Sequence, residues 1–273
     1  MKRIRLIALD MDGTLLDDRK QLPADNREAL QEAEKRGMLV CIASGRMLSS
    51  IDPFERLLGI DCIIIAYNGA MVLGRKSQGR PMLAHRPIPA EIAEFFIRFS
   101  REQGYLLNFY HEDRLYAEDT PRHRPFMELY SSRTGAEYNL VDSLEEAFAG
   151  VAPTKLMLLA DRRERDRLHD ELGSGLGGRA FVTKSEPEYI EIMAAGVDKG
   201  SAFPMIADHY GIQADEIMAV GDAENDAGML QAAGFGVALA NSGPAVRAVA
   251  DAVTERTNNQ GGVAEAVRRW ALI

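Results

Sequence analysis

The amino-acid sequence predicts an α/β fold, a doubly wound parallel sheet into which a second, α+β domain is inserted. Three observations lead to this prediction: short apolar runs recur along the chain, helical stretches separate them, and the middle of the chain departs from the pattern. Each run is bounded by turn residues, which is typical of a parallel strand covered on both faces. The predicted strands are residues 4–9, 39–43, 63–66, 217–220 and 237–239.

The stretches between these runs have helical patterns. Ala29, Leu30 and Ala33 lie on one face of the first predicted helix, and residues 35–37, Lys-Arg-Gly, are a stop signal with cations in the last turn. Residues 242–244, Ser-Gly-Pro, open a later helix with proline at or near its first position. Strands that alternate with helices in this way predict a parallel, doubly wound sheet.

The middle of the chain predicts a separate domain, because no strand there ends in a comparable acidic or amide motif. We expect residues 1–82 and 188–273 to form the core domain and residues 83–187 to form the inserted α+β domain. The elements predicted in the insertion are an amphipathic helix around residues 92–99, strands at 106–110, 155–160 and 180–183, and a charged helix at 163–172.

Length and composition are those of an ordinary globular protein. The 273 residues suit two modest domains, and a net charge of −9 argues against a broad surface for nucleic acid or anionic membranes. No apolar run reaches the roughly 18 residues of a membrane span, and the first strand begins without a signal peptide, so a cytoplasmic location is expected. Cys41 and Cys62 lie in or beside predicted core strands, which favours buried free thiols.

Polar side chains follow the predicted core strands at the point where each one ends. Asp10 and Asp12 follow the first strand, Ser44 the second, Asn68 the third and Asp222 the fourth. Open α/β sheets bind ligands outside the carboxyl ends of their strands, so we expect these side chains to converge along one rim. Two acids at one strand end could merely cap a helix, but a second acidic motif makes an active site the better prediction.

Other sites suggested by local patterns are excluded by their details. A calcium loop numbered from Asp10 needs glycine where Leu15 stands and glutamate where Gln21 stands. The glycines within residues 173–178 match a dinucleotide pattern, but they follow a helix and precede a strand, the reverse of such a site. His111 and His123 have neither the spacing nor the third histidine of a zinc site.

Four motifs, taken in order, resemble those of the haloacid dehalogenase superfamily of phosphotransferases. They are DMDGT at 10–14, ASGR at 43–46, DKG at 198–200 and GDAEND at 221–226. The YNGA at 67–70 and the large insertion resemble the Cof-type branch. This resemblance implies a Mg2+-dependent phosphatase acting on a small phosphorylated metabolite, with an α+β cap over a Rossmann-like core.

Elementary chemistry agrees with a metal at the acidic rim. A carboxylate that approaches a phosphate monoester is repelled, since two unit charges about 4 Å apart interact with roughly 4 kcal/mol at an effective dielectric constant near 20. A divalent cation held by oxygens removes that obstacle. Asp10 and Asp222 are the expected carboxylate ligands of Mg2+, and the resemblance adds the main-chain carbonyl of Asp12.

The remaining roles also follow from the motifs. Asp10 is the expected nucleophile, which forms an aspartyl phosphate, and Asp12 protonates the leaving alcohol and then deprotonates water. Ser44 and Lys199 are expected to stabilise the transferring phosphoryl group, while Asp226 orients Lys199. The resemblance adds further candidate substrate-binding residues: Thr14, Gly45, Arg46, Asn68 and Asn225.

Three assignments stay open at this point. Arg46 could bind phosphate or pair with an acid, and Asn68 could donate to substrate or simply form an Asn-Gly turn. Arg122 and Arg124 flank His123 in a basic cluster of the insertion. The cluster could contact a polar or anionic end of the substrate, or it could be a surface turn.

The functional alternatives share the same chemistry. A phosphomannomutase-like phosphotransferase would return the phosphoryl group to a sugar, and a non-catalytic metabolite binder is disfavoured because both acids of the first motif are present. The expected partner is a small phosphorylated metabolite such as a sugar phosphate, with no nucleic acid and no membrane. Two places depart from the family pattern: Ala240, and Gln-Gly-Gly at residues 260–262. These departures bear on substrate binding and leave the chemistry unchanged.

Overall fold

The computed structural model describes residues 3–273. Within them the strands are, in chain order, β1 (Leu6–Asp10), β2 (Leu39–Ala43), β3 (Ile63–Ala66), β4 (Met71–Leu73), β5 (Met82–His85), β6 (Leu106–His111), β7 (Arg114–Glu118), β8 (Tyr138–Val141), β9 (Lys155–Leu159), β10 (Ala180–Lys184), β11 (Tyr189–Ala194), β12 (Ile217–Gly221), β13 (Phe235–Ala238) and β14 (Ala252–Val253). The α-helices are α1 (Ala24–Lys35), α2 (Leu48–Leu58), α3 (Ala90–Gln103), α4 (Arg124–Thr134), α5 (Leu144–Ala147), α6 (Arg162–Gly175), α7 (Phe203–Tyr210), α8 (Ala227–Ala232), α9 (Pro244–Val249) and α10 (Gly262–Ala266).

The chain folds as two compact units. The first contains the residues up to Ala84 together with Asp198–Ile273, and the second contains His85–Val197. No helix in residues 3–273 combines the length and the apolar character needed to cross a membrane.

The first unit is built on one sheet with the order β14-β13-β12-β1-β2-β3-β4-β5. Strands β14 to β3 are parallel, and β4 turns back antiparallel to β3. The predicted fold class is confirmed. The strand at 217–220 extends to Gly221, and the one at 237–239 begins earlier and ends before Leu239.

The register of the central strands places the predicted motifs at one edge. Leu9 of β1 lies opposite Val220 of β12, and Asp10 lies opposite Ala43 of β2. All five residues of β1 are buried, as expected for a parallel strand covered on both faces. Side chains that follow these strands therefore begin at the same level of the sheet.

The surrounding core agrees with the predicted patterns. The buried face of α1 includes Ala29, Leu30 and Ala33. Cys41 and Cys62 are free and buried, as predicted, and burial is the main cause that raises the pKa of each thiol.

The second unit contains a mixed sheet with the order β10-β11-β9-β6-β7-β8. It ends at Val197 rather than at the predicted residue 187, because β11 pairs antiparallel with both β9 and β10. The residues of β11 are all buried except Ala194, which is half-buried. Of the glycines in the dinucleotide-like pattern, Gly173 and Gly175 lie in the last part of α6, and Gly178 lies in the turn before β10.

Candidate active site

The turn after β1 brings the first acidic motif close to the second. The amide of Leu15 donates to the carbonyl of Asp10 at 3.2 Å, and the amide of Leu16 donates to that of Met11 at 2.9 Å. Gly13 has a φ of +85°, and a Cβ atom added there would lie 2.6 Å from Asp222 Oδ2. Glycine is required at this position because the chain is in the left-handed region and a carboxylate occupies the space of a side chain.

Lys199 lies at the centre of the acidic group. Its Nζ donates to Asp10 Oδ1 at 2.5 Å and to Asp226 Oδ1 at 2.6 Å, and its side chain has no solvent exposure. Asp226 in turn accepts from the amides of Asp222 and Ala223 at 2.9 and 3.0 Å. The predicted contact between Asp226 and Lys199 is therefore present, and main-chain amides hold Asp226 in place.

Protonation of this group is shifted by burial and by charge. Burial, and after it the charge of Asp226, raises the pKa of Asp10 well above its usual range, although Lys199 opposes this shift. Burial and Asp226 likewise raise the pKa of Asp222 to about 7. Burial would lower the pKa of Lys199, but Asp10 and Asp226 raise it overall. Three carboxylates around one ammonium thus carry an excess of negative charge.

Asp222 is held by neutral donors. Thr14 Oγ1 donates to Asp222 Oδ1 at 2.6 Å, and Asn241 Nδ2 donates to Asp222 Oδ2 at 3.2 Å. Asn241 also donates to the carbonyl of Gly13 at 2.8 Å, which joins the two acidic motifs. Thr14 therefore contacts a predicted metal ligand.

This donor set fits a hard divalent cation. One carboxylate oxygen from each of Asp10, Asp222 and Asp226 lies within 4.8 Å of the others. Oxygen donors are those that Mg2+ prefers, and a cation would offset the excess negative charge of the group. The side chain of Asp12 is outside this group.

Asp12 is instead paired with two cations. Arg46 donates to both of its oxygens, from Nε at 2.7 Å and from Nη2 at 2.6 Å, and Lys20 Nζ donates at 2.8 Å. Burial alone would raise the pKa of Asp12, but Arg46 and Lys20 lower it overall. Of the two alternatives for Arg46, this structure contains the pairing with an acid, and Arg46 also lies over the ring of Phe54 at 5.2 Å.

Ser44 and Asn68 lie together at the ends of β2 and β3. The amide of Asn68 donates to the carbonyl of Ser44 at 2.9 Å, and Ser44 Oγ accepts from the amide of Arg46 at 3.2 Å. The Asn-Gly turn is present, with Asn68 at a φ of 54°. The Asn68 side chain is nevertheless buried, and Asn225 Nδ2 donates to its Oδ1 at 3.4 Å. Gly45 lies between Ser44 and Arg46 in the segment that joins β2 to α2.

Arg122 and Arg124 belong to the second unit. Arg124 is exposed and pairs with Asp119 at 3.3 Å, while His123 between the two arginines is buried. A role for these arginines in substrate binding stays a prediction.

Two residues of the site were not predicted from the sequence. Lys20 lies in a turn with a φ of 58°, and no local pattern indicated that it would reach Asp12. Asn241 follows β13, so its position after a strand was a usable signal.

The chain is similar to known proteins over nearly its whole length. A family model described as haloacid dehalogenase-like hydrolase matches residues 7–267. The phosphatase YcsE of Bacillus subtilis, named for 5-amino-6-(5-phospho-D-ribitylamino)uracil, is 28% identical over 271 residues, which are 98% of this chain and 96% of YcsE. The crystal structure of TM0651 from Thermotoga maritima has a TM-score of 0.83 and 31% identity, with 97% of each chain covered.

A further relative is much longer than this chain. The chloroplastic endoribonuclease YBEY of Arabidopsis thaliana is 32% identical over 282 residues, which are 97% of this chain and 46% of that protein. This chain therefore spans about half the length of that relative, whose named activity belongs to the longer protein. The family match confirms the resemblance to the Cof-type branch predicted from the motifs. The chain belongs to the haloacid dehalogenase-like hydrolases and, as predicted, is a phosphoric monoester hydrolase.

Proposed function

We propose that this protein is a Mg2+-dependent phosphatase that hydrolyses a small phosphorylated metabolite through an aspartyl phosphate on Asp10. The observation that carries this proposal is the group of Asp10, Asp222 and Asp226, in which the buried Asp10 and Asp226 share the ammonium of Lys199. Such a group destabilises the folded protein when it is empty, because burial raises the free energy of charges that lack partners. It is a favourable site for a cation and a phosphoryl group.

The side chains of Asp10 and Asp222, with the main-chain carbonyl of Asp12, would hold Mg2+. The ion would supply a positive charge that reduces the repulsion between Asp10 and the phosphate dianion. Lys199 orients Asp10 through the hydrogen bond at 2.5 Å, and Asp226 holds Lys199 from the other side at 2.6 Å. Ser44 follows Ala43, which lies opposite Asp10, and it would donate its hydroxyl to a phosphoryl oxygen.

In the first step, a carboxylate oxygen of Asp10 forms a bond to phosphorus while the bond from phosphorus to the ester oxygen breaks. The departing oxygen takes the electron pair of that bond and a proton from Asp12. In the second step, Asp12 takes a proton from water as the water oxygen bonds to phosphorus. The bond to Asp10 then breaks, which releases inorganic phosphate and restores the Asp10 carboxylate.

The ion pairs of Asp12 bear directly on these proton transfers. Arg46 and Lys20 lower the pKa of Asp12, so the side chain is ionised and suited to accept the proton of water. Asp12 must be protonated to donate in the first step. Its protonation becomes more favourable once Arg46 moves from Asp12 to the phosphate of the substrate. Arg46 would thus both bind the phosphate and release Asp12 to act as an acid.

The substrate class follows from the relatives and from charge. YcsE is named as a phosphatase of a phosphorylated ribityl compound, so a small metabolite with a phosphorylated sugar-like chain is the substrate class we propose. A net charge of −9 disfavours a polyanionic nucleic acid as the substrate.

The test is phosphate release from an aryl phosphate and from a panel of sugar phosphates, with and without Mg2+. Asp10→Asn should abolish release while the circular dichroism spectrum is retained, because an amide is not a competent nucleophile. Asp208→Asn is the matched control: it removes an exposed carboxylate of α7, in the same unit, and should leave release unchanged. Release by folded Asp10→Asn contradicts the mechanism, and transfer of phosphate to a sugar without release contradicts hydrolysis.

A further inference from the structure

A pocket of about 200 Å³ lies wholly within the second unit, where the end of α3, strand β7 and the loop before α4 meet. Its apolar lining includes Tyr105, Leu107 and Leu144, and its polar lining includes Thr120, Arg122 and His123. No residue of the group around Asp10, Asp12 and Asp222 lines it, whereas Arg122, a candidate substrate-binding residue from the sequence, does. Binding at this pocket therefore does not depend on the chemistry proposed at Asp10.

Two polar side chains of this pocket have buried atoms without a partner. His123 is only 9% exposed, and its Nε2 lies 3.4 Å from the carbonyl of Gly104. Within residues 3–273, neither His123 Nδ1 nor Thr120 Oγ1 has a hydrogen-bond partner. Buried polar atoms are almost always satisfied in native proteins, so these two atoms indicate a missing partner.

Arg122 is available to an anion at the same place. In the described part of the chain Arg122 forms neither a hydrogen bond nor an ion pair, and it lies against Gly104. Gly104 has a φ of +72°, and a Cβ atom there would lie 2.1 Å from Arg122 Nη1. Glycine at the end of α3 thus permits the close approach that holds the guanidinium at the pocket.

The other charged groups of the pocket already satisfy one another. Glu118 Oε1 accepts from Arg101 Nη2 at 3.0 Å and from the amide of Leu144 at 2.9 Å. Arg101 Nη1 also donates to Glu145 at 2.6 Å. Burial lowers the pKa of His123, which favours the neutral imidazole. With Arg122 unpaired, the pocket has an excess of positive charge.

We propose that this pocket binds a small organic anion, a carboxylate on a short apolar chain. Arg122 and the hydroxyl of Thr120 donate to the carboxylate. The neutral ring of His123 donates from Nε2 to the carbonyl of Gly104, so its Nδ1 is an acceptor, which a water molecule beside the ligand can satisfy. Tyr105 and Leu107 cover the apolar chain. Drug-sized ligands occupy pockets of roughly 300–1,000 Å³, so the 200 Å³ here suits a ligand of only a few heavy atoms.

This inference separates the two arginines of the predicted basic cluster. Arg122 lines the pocket, whereas Arg124 is paired with Asp119 outside it. The two residues are close in sequence, both exposed and equal in charge. Arg124→Ala is therefore a matched control for Arg122→Ala.

The experiment is a titration of the full chain with butyrate, followed by the NMR signal of the His123 ring, which is assigned with His123→Phe. Butyrate should shift this signal in a saturable manner. Arg122→Ala should weaken binding by at least about 10-fold, equal to about 1.4 kcal/mol, and Thr120→Val should weaken it less. Arg124→Ala should bind butyrate like the unmodified protein.

Three results would overturn the proposal. One is the absence of a saturable shift of the His123 signal. Another is equal affinity for butyrate in Arg122→Ala and in the unmodified protein. The last is equally strong binding of butylammonium, which has the same chain and the opposite charge.

Discussion

Replacing Lys199 with methionine tests the electrostatic account of the acidic group most directly. The substitution keeps a long side chain but removes the ammonium that lies 2.5 Å from Asp10 and 2.6 Å from Asp226. Both carboxylates are buried, so water cannot replace the lost contacts. One carboxyl group must then take up a proton, or remain charged without its cation.

The expected loss of stability is set by the smaller of these two free-energy costs. Protonating a carboxyl group of ordinary pKa near 4 at about pH 7 requires roughly 4 kcal/mol, at 1.36 kcal/mol for each pH unit. Removal of one partner of a buried ion pair typically destabilises a protein by about 3–5 kcal/mol. We therefore expect Lys199→Met to lower the free energy of unfolding by about 4 kcal/mol near neutral pH. The loss should shrink by about 2 kcal/mol when the pH is about 1.5 units lower.

Urea unfolding followed by circular dichroism measures this loss, and Lys155→Met is the matched control. Lys155 is also a buried lysine, 2.9 Å from Glu191 in the second unit. Both variants should regain stability at lower pH, because a carboxyl group is left in each. Both variants keep the carboxylates of the proposed Mg2+ site, and a Mg2+ concentration of about 100 times the dissociation constant contributes about 2.7 kcal/mol to stability. At the same Mg2+ concentration Lys199→Met should gain more stability than Lys155→Met, because it lacks the ammonium that competes with the cation.

The result that refutes this reasoning is an equal response of the two variants to Mg2+. In that case removal of the ammonium would not have increased the affinity of the acidic group for a cation. A loss of stability at Lys199 that does not change with pH would also contradict the electrostatic account.

Three further predictions concern single residues of the site. Asp12→Ala should reduce turnover of a sugar phosphate more than that of an aryl phosphate, whose leaving group needs little protonation; equal losses in kcat would argue against Asp12 as the acid. Gly13→Ala should weaken Mg2+ binding in calorimetry, since the new Cβ would lie 2.6 Å from Asp222. The control is Gly79→Ala, which has a φ of +80° and open space around it and should only lose stability. Similar Mg2+ affinities in the two variants would contradict the close contact. Because the pKa of Asp222 is raised to about 7, a proton competes with the cation below that pH, so Mg2+ affinity should fall as the pH is lowered through 7; a flat calorimetric profile from pH 8 to about 5.5 would show that Asp222 is not a ligand.

The sequence by itself determined the strands of the core and the edge at which the acidic motifs meet. A short buried strand is recognisable from its apolar run, and parallel strands place their carboxyl ends on one side. The positions of Asp10, Ser44 and Asp222 follow from these two facts. The second boundary of the insertion did not follow, because only the pairing of β11 with β9 and β10 assigns this strand to the second unit.

Which side chains contact one another was decided by the tertiary structure. Lys20 and Arg46 are charged residues next to turns, for which the sequence alone does not fix a partner, yet both donate to Asp12. The sequence assigned Lys199 to the site with Asp226 as its partner, but its complete burial between Asp10 and Asp226 is seen only in the structure. Contacts of this kind depend on turn dihedrals and on packing between segments far apart in the chain, whereas periodicity and motif spacing report only the local backbone.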